Sequence, residues 1–530
     1  MNVSEYTMDR LGGTEYFSST FAEIPNLPEV STWSFIFERV NDFAAHKLFV
    51  DAKSKESLTF SEVHAASRSL AYTLRHKLGL VPGDTVVVVS SNSIFLPVTI
   101  LATQAAGLIC SPANSLAHKS ELSYQILDCG AKALLCGPEH IWDLCQSNLL
   151  LDPPSISPSE AKALTCLLCY SSGSMQKIKY LLLWYRTHYN ITSAIIQAMV
   201  LAPSSYKYGE TWLATVPITH IYGLFNNVFM APHVGVTVVI MERFILDDFT
   251  ENLQTYNITA SHIVPPIAVR LSKNLSTDFP SLPSLKEWRS AGAPIGYDLT
   301  KLLETKSQVQ LQGLYGMTET TAIIALTDRD RGNTPLGTVG RLAPNLQAKL
   351  VNGELCLKGP NITPGYHNRP DVNAEAFDNE GYMRTGDIVY IDKEGFLYIV
   401  DRVKELIKYN GYQVYPIEDI LLDHKLVKDA ALVGLNDLMN CTELPLAYVV
   451  LDASHVTEAS SLENMAKMLR DYIASKAAPY KKLRGGIIFV HSIPKSPSGK
   501  IMRRQLKDFA NGQKHCLPNL EVIGSFTTLV

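Results

Sequence analysis

What the sequence lacks narrows it first. No charge sign dominates: 47 Lys and Arg stand against 51 Asp and Glu, a net charge of −4. No basic field exists to draw a phosphate backbone, so a nucleic-acid partner is not expected. Cysteine is scarce, with nine irregularly placed in 530 residues, which fits a reducing compartment rather than a disulfide framework. Cys166 and Cys169 form a CxxC with no second pair, inside the apolar run 164–170, and are read as buried strand residues. The N-terminus has neither a basic stretch nor an apolar core, and the apolar stretch 86–109 is broken by Ser90, Ser91, Asn92, Ser93 and Pro97. Neither a signal peptide nor a membrane span is expected. Thr528, Leu529 and Val530 lack the Ser-Lys-Leu type of peroxisomal address, so the cytoplasm is the default location and the peroxisome the alternative.

What is present belongs to a folded globular chain: 46% hydrophobic and 18% charged residues, with 31 Gly and 28 Pro spread along it. At about 100 to 200 residues per domain, the length implies several. Thr59 and Glu62 make a capping box ahead of Val63, Ala66, Leu70, Leu74 and Leu78, the apolar stripe of one helix ending before Gly79. The β-branched run 85–89 that follows predicts a strand buried on both faces of a parallel sheet. Short apolar runs at 133–136, 237–240 and 262–264 repeat the helix-then-strand pattern, which predicts α/β layering. From about residue 335 the segments 354–358, 359–366, 390–392 and 395–400 predict a β-rich unit. Beyond it, strands at 431–433, 447–451 and 487–490 with a helix at 461–474 predict a small α+β unit. The expected division is 1–401, 402–511 and a loosely attached tail, 512–530.

Tyr170-Ser171-Ser172-Gly173-Ser174, with Lys177 and Lys179 close behind, follows a predicted strand and carries the hydroxyls, permissive backbone and cations of a phosphate-cradling loop. Such turns are common by themselves. Here they are followed in order by Gln312-Gly313-Leu314-Tyr315-Gly316-Met317-Thr318-Glu319-Thr320, by Tyr382-Met383-Arg384-Thr385-Gly386-Asp387, by the stretch from Asp401 and Arg402 to Gly411, Tyr412, Gln413 and Val414, and by Pro494-Lys495-Ser496-Pro497-Ser498-Gly499-Lys500. From about Trp33 to Leu506 the chain resembles the adenylate-forming superfamily, most closely the acyl-CoA synthetases similar to 4-coumarate:CoA ligase.

The resemblance implies a large N-terminal domain of two α/β subdomains plus a β-barrel-like subdomain, and a small mobile α+β C-terminal domain. It implies a reaction in which a carboxylate attacks the α-phosphate of ATP, giving an acyl-adenylate and pyrophosphate, before a thiol displaces AMP. Charge builds on the phosphates in the first step, so preorganised cations and donors are what such a site needs. By resemblance Lys500 is that cation, Thr318 donates to the α-phosphate and Glu319 is the Mg²⁺ ligand. Tyr315, Asp387 and Arg402 belong to the nucleotide pocket, Asp387 as acceptor of the ribose hydroxyls, with Ser171, Ser172, Gly173, Ser174 and Lys179 on the phosphates. His220 lies beside the carboxylate. Lys404 is the hinge, Lys408 and Gln413 serve the closed states, and Gly411 and Tyr412 let the pantetheine arm pass. Tyr222, Asn226, Gly292, Ala293, Pro294, Leu314 and Gly316 match positions around the acyl tunnel.

Two departures stand out. The family's phosphate loop reads Ser/Thr-Ser-Gly-Thr-Thr-Gly-x-Pro-Lys-Gly, where this chain has Met175 for a hydroxyl donor and Gln176 and Tyr180 for permissive glycines. Three extra residues precede Thr187-His188-Tyr189-Asn190, read either as drift or as a misassigned splice junction. Leu314 stands where related ligases carry Gly, and is expected to narrow the acyl tunnel. The expected function is ATP- and Mg²⁺-dependent activation of an aromatic or medium-chain acid and its transfer to CoA. The alternatives are transfer to the pantetheine of a separate carrier protein, and a non-catalytic relative whose phosphate loop has decayed.

Overall fold

The computed structural model describes residues 14–117, 119–137, 149–170, 183–274, 282–292, 295, 297–327, 334–402, 407–409, 412–414, 418–437, 442–455, 461–477, 481–495, 501–512, 517 and 520–526. The capping box forms as read: Thr59 accepts from the Glu62 amide and Glu62 returns to the Thr59 amide, opening the Phe60–Tyr72 helix. A π-turn over Thr73–Lys77 ends it, so Leu78 falls on the exposed side. The next strand, Thr85–Ser90, lies between two parallel neighbours, Ile109–Asn114 and Ala133–Cys136, which is why both of its faces are apolar.

That strand belongs to a six-stranded sheet completed by Thr165–Tyr170, Leu183–Thr187 and Gly365–Tyr366. Cys166 and Cys169 are buried in it, as expected, and burial pushes the Cys166 thiol up to about 12. A nine-stranded sheet runs from Arg341–Leu342 through Ala322–Leu326, Gln310–Met317, Glu287–Ser290, Ala260–Ile263, Thr211–Ala214, Thr237–Ile240 and Lys47–Asp51 to Ser57–Thr59. From Gln310–Met317 to Lys47–Asp51 all its pairings are parallel. The strand expected at 262–264 begins two residues earlier, at Ala260.

The β-rich unit is a five-stranded antiparallel sheet: Thr14–Ser18, Gln347–Val351, Glu354–Lys358, Met383–Ile391 and Leu397–Arg402. Its first strand comes from the far N-terminal end of the described chain, a contribution that local patterning does not reveal. After residue 402 a four-stranded sheet, Val427–Asp437, Thr442–Leu451, Gly486–Val490 and Val522–Phe526, packs on the Leu462–Lys476 helix. The last of these corrects the sequence expectation. Val522–Phe526 is not a loose tail but an antiparallel partner of Gly486–Val490, and Leu517 and Leu520 just before it pack on the core cluster that includes Ile488 and Val490. Backbone pairing and two leucines hold it, signals too sparse to show in composition.

Among the described residues, no helix is long and apolar enough to cross a membrane.

Candidate active site

In open α/β sheets, ligands lie outside the carboxyl ends of parallel strands, and several expected residues gather there. After Thr211–Ala214 the chain turns through Pro217 to His220, whose Nδ1 accepts from the Tyr222 amide at 3.3 Å and caps the short Ile221–Gly223 helix. A side chain on Gly223 would meet the Pro217 carbonyl at 2.4 Å, so glycine is what lets this turn close. Tyr222, 6% exposed, donates to the Arg289 carbonyl at 2.8 Å, binding the helix to the end of Glu287–Ser290. Gly292 follows with φ +90, a left-handed conformation suited to glycine.

On Gln310–Met317, Gly313 stands opposite Ser290. Leu314 is buried in the same apolar cluster as Tyr222 and Trp212, whereas a side chain on Gly313 would approach the Thr338 carbonyl instead. Leu314 therefore lies on the Tyr222 side of the strand. Gly316 is different: a Cβ there would fall 1.4 Å from the Ala322 carbonyl oxygen. Its lack of a side chain serves a close backbone approach.

Past Met317 the chain makes one tight turn, Thr318–Thr320, and leaves through Thr321 and Ala322 with φ of +51 and +81. Non-glycine residues in this region carry strain of about 1 to 3 kcal/mol each and persist only where neighbours impose it. The neighbours are present. The Thr318 carbonyl accepts from the Arg186 guanidinium, the Glu319 carbonyl from the Thr363 amide at 3.0 Å, and the Thr320 carbonyl from Asn361 Nδ2 at 3.0 Å. Two separate segments, the Leu183–Thr187 strand and the 361–363 stretch, thus clamp three consecutive carbonyls.

Tyr315 Oη donates to Asp387 Oδ2 at 2.7 Å, and Asp387 is 3% exposed. Across the ladder Asp387 stands opposite Arg402, so the backbone places together the two residues expected at the ribose. Lys408 likewise opposes Gln413 in the two-stranded hairpin. For Arg402, Lys408, Tyr412 and Gln413 only the backbone is described. Ser171, Ser172, Gly173, Ser174, Lys179, Ala293, Pro294, Lys404, Gly411 and Lys500 lie outside the described residues.

The donor set at the turn fits a hard cation that keeps phosphate and water oxygens. Glu319 offers one carboxylate, and no cluster of three or more His, Cys, Asp or Glu suited to a metal occurs among the described residues. Burial, and next to it the Glu319 charge, push the Tyr366 phenol well above its ordinary value. Sequence reasoning missed Arg186, Asn361 and Tyr366, since none carries a local signature and only the fold brings them to the turn.

The AMP-binding enzyme family matches residues 36–367, and the AMP-binding enzyme C-terminal domain matches 416–500. A probable CoA ligase of Humulus lupulus is 32% identical, covering 97% of this chain and 100% of that one. The peroxisomal OPC-8:0-CoA ligase 1 of Arabidopsis thaliana is 32% identical over 93% and 95%, and 4-coumarate–CoA ligase 2 of Nicotiana tabacum 31% over 91% and 95%. Among solved structures, O-succinylbenzoate coenzyme A synthetase from Bacillus subtilis in complex with AMP superposes with a TM-score of 0.76 at 25% identity, over 90% of this chain and 98% of that one. The fold, the order of the motifs and these matches agree: the chain belongs to the AMP-binding enzymes, among the acid–thiol ligases of the 4-coumarate–CoA ligase-like group.

Proposed function

We propose that this protein uses ATP to convert a small aromatic or medium-chain carboxylic acid to its acyl-adenylate and then passes the acyl group to CoA, releasing AMP and pyrophosphate. The observation that carries the reading is the clamped Thr318–Thr320 turn beside the Tyr315–Asp387 pair, a fixed array where charge develops on transferring phosphates. In this reading Thr318 donates to the α-phosphate, Asp387 with Arg402 takes the ribose hydroxyls, and Tyr315 holds Asp387 in place. His220 meets the acid's carboxylate at the rim. Lys500 brings its cation to the α-phosphate when residues 402–511 close over residues 1–401, with Lys404 as the hinge. Lys408, Gln413, Gly411 and Tyr412 then serve the second, thiol-dependent step. Mg²⁺, when bound, neutralises charge on the phosphates, and Glu319 is the carboxylate this chain offers it.

The test is pyrophosphate release from a panel of aryl and alkyl acids, with and without CoA. Acid-dependent pyrophosphate and CoA-dependent AMP turnover support the reading. Adenylate formation without thioester would instead favour a carrier-protein pantetheine, and no release with any acid would favour a non-catalytic relative.

A further inference from the structure

Arg186, 0% exposed, stands on the Leu183–Thr187 strand of the six-stranded sheet and reaches a turn of the nine-stranded one. Its Nη2 donates to the Thr318 carbonyl, while Nε and Nη1 have no hydrogen-bond partner among the described residues. None of the three nitrogens therefore meets a carboxylate there.

The side chains around it supply no counter-charge. Leu167 stands opposite Arg186 on the antiparallel Thr165–Tyr170 strand, and Trp184, two residues back on the same face, stands opposite Cys169. Burial pushes the Cys166 and Cys169 thiols up, outweighing the Arg186 charge that pulls both down, so neither is a thiolate. Burial also raises the phenol of Tyr366, the partner of Trp184 on its other side, and keeps it neutral. Arginine has no neutral form to fall back on in such surroundings. A buried charge without a partner is among the costliest features a fold carries, and the cost is offset when an anion binds beside it. The Thr318–Thr320 turn is where that anion comes: Thr318, bonded to the guanidinium through its carbonyl, is the residue read above as donor to the α-phosphate. In sequence, the strand carrying Arg186 follows the loop that has Met175, Gln176 and Tyr180 in place of a hydroxyl and two glycines.

We propose that Arg186 is a positioning residue for the nucleotide phosphates, acting through the Thr318–Thr320 turn: one N–H fixes the turn, and the unbalanced charge behind it draws the phosphate chain. Screening is weak away from water, so the cation acts on the phosphates without touching them. Its pull grows with the charge of the ligand, whereas a clamp that only shaped the turn would serve every nucleoside ligand alike. The charge also makes up for the donor and the permissive backbone missing from residues 175–180. The role rests on the ATP-dependent reading above, in which the phosphates lie at this turn.

The experiment measures Kd for adenosine, AMP and ATP by displacement of a fluorescent AMP from the full chain, with EDTA present so that ligand charge rises along the series. Arg186→Gln keeps an amide donor for the Thr318 carbonyl but removes the charge. It is expected to weaken ATP about tenfold or more, AMP less, and adenosine by no more than about twofold. Arg186→Lys, which keeps the charge, should hold the ATP-to-adenosine ratio near that of the parent. Arg186→Met, of similar length and without charge, is the second variant should Arg186→Gln fail to fold, and should lower the same ratio. Equal weakening of all three ligands in the uncharged variants would leave Arg186 a structural clamp, and unchanged affinities would leave it no part in binding. Either result overturns the proposal while the ligase reading stands. A parent that binds neither AMP nor ATP overturns both.

Discussion

Tyr315 Oη lies 2.7 Å from Asp387 Oδ2, tying the strand that leads into the Thr318–Thr320 turn to the antiparallel sheet that carries Asp387. Tyr315→Phe removes one donor from a buried carboxylate while leaving the ring in place. It is expected to raise the Kd for AMP by roughly tenfold, or about 1.4 kcal/mol. Titration calorimetry with AMP alone is the measurement, and an unchanged Kd would separate this bond from nucleotide binding.

The clamped turn predicts a paired loss. Asn361→Leu leaves the buried Thr320 carbonyl without the Nδ2 donor, at a cost of about 1 to 3 kcal/mol in stability. Because the same turn presents Thr318 and Glu319, the affinity for Mg-ATP should fall with it. A variant that unfolds at lower urea yet binds Mg-ATP like the parent would show that the turn holds its shape without this clamp.

His188 ties stability to pH. Its Nδ1 lies 3.0 Å from the Thr32 amide, and an amide only donates, so the ring is neutral. Burial lowers its pKa from 6.5 to about 4. Below pH 6.5 the unfolded chain takes up a proton that the folded chain refuses. This contribution is therefore complete above 6.5 and is lost as pH falls toward 4, by about 3 kcal/mol. Urea unfolding from pH 7.5 to 4.5 should show a shallower slope in His188→Gln. His262, lowered by burial and Arg289, adds a slope of the same sign.

Lys500→Ala should slow adenylate formation by roughly 10² or more, the scale of losing one preorganised donor. Thioester formation from supplied acyl-adenylate should survive. Equal loss of both steps would point to damage elsewhere.

Leu314→Gly should raise kcat/KM for longer or bulkier acids relative to the parent and leave the smallest accepted acid nearly unchanged. One methylene of misfit in such a pocket is worth about 1 to 3 kcal/mol. A flat profile across a chain-length series would free Leu314 of any part in substrate choice.

Much of the architecture is legible locally. The Thr59–Glu62 box and the β-branched run at 85–89 work through neighbours in sequence, and each forms where expected. The order of the motifs places Tyr315, Thr318, Glu319 and Asp387 together because the fold that joins them is shared across the family. What escapes is long-range. Thr14–Ser18 becomes a strand only by pairing with Gln347–Val351. Arg186 and Arg289 look like solvated cations until the sheets around them close. Gly316 reads as part of a tunnel, yet its constraint is the Ala322 carbonyl on the next strand.

The Val522–Phe526 strand has a consequence during synthesis. Its partner, Gly486–Val490, is five apolar or glycine residues buried throughout. Stripped of the outer strand it would present a bare row of amides and carbonyls, the template along which chains aggregate. Because residues 522–526 are translated after 486–490, the growing polypeptide passes through an interval with that edge uncovered. A transcript stopped between the two, even well after Lys500, would yield chains that hold every motif of the reaction and still precipitate.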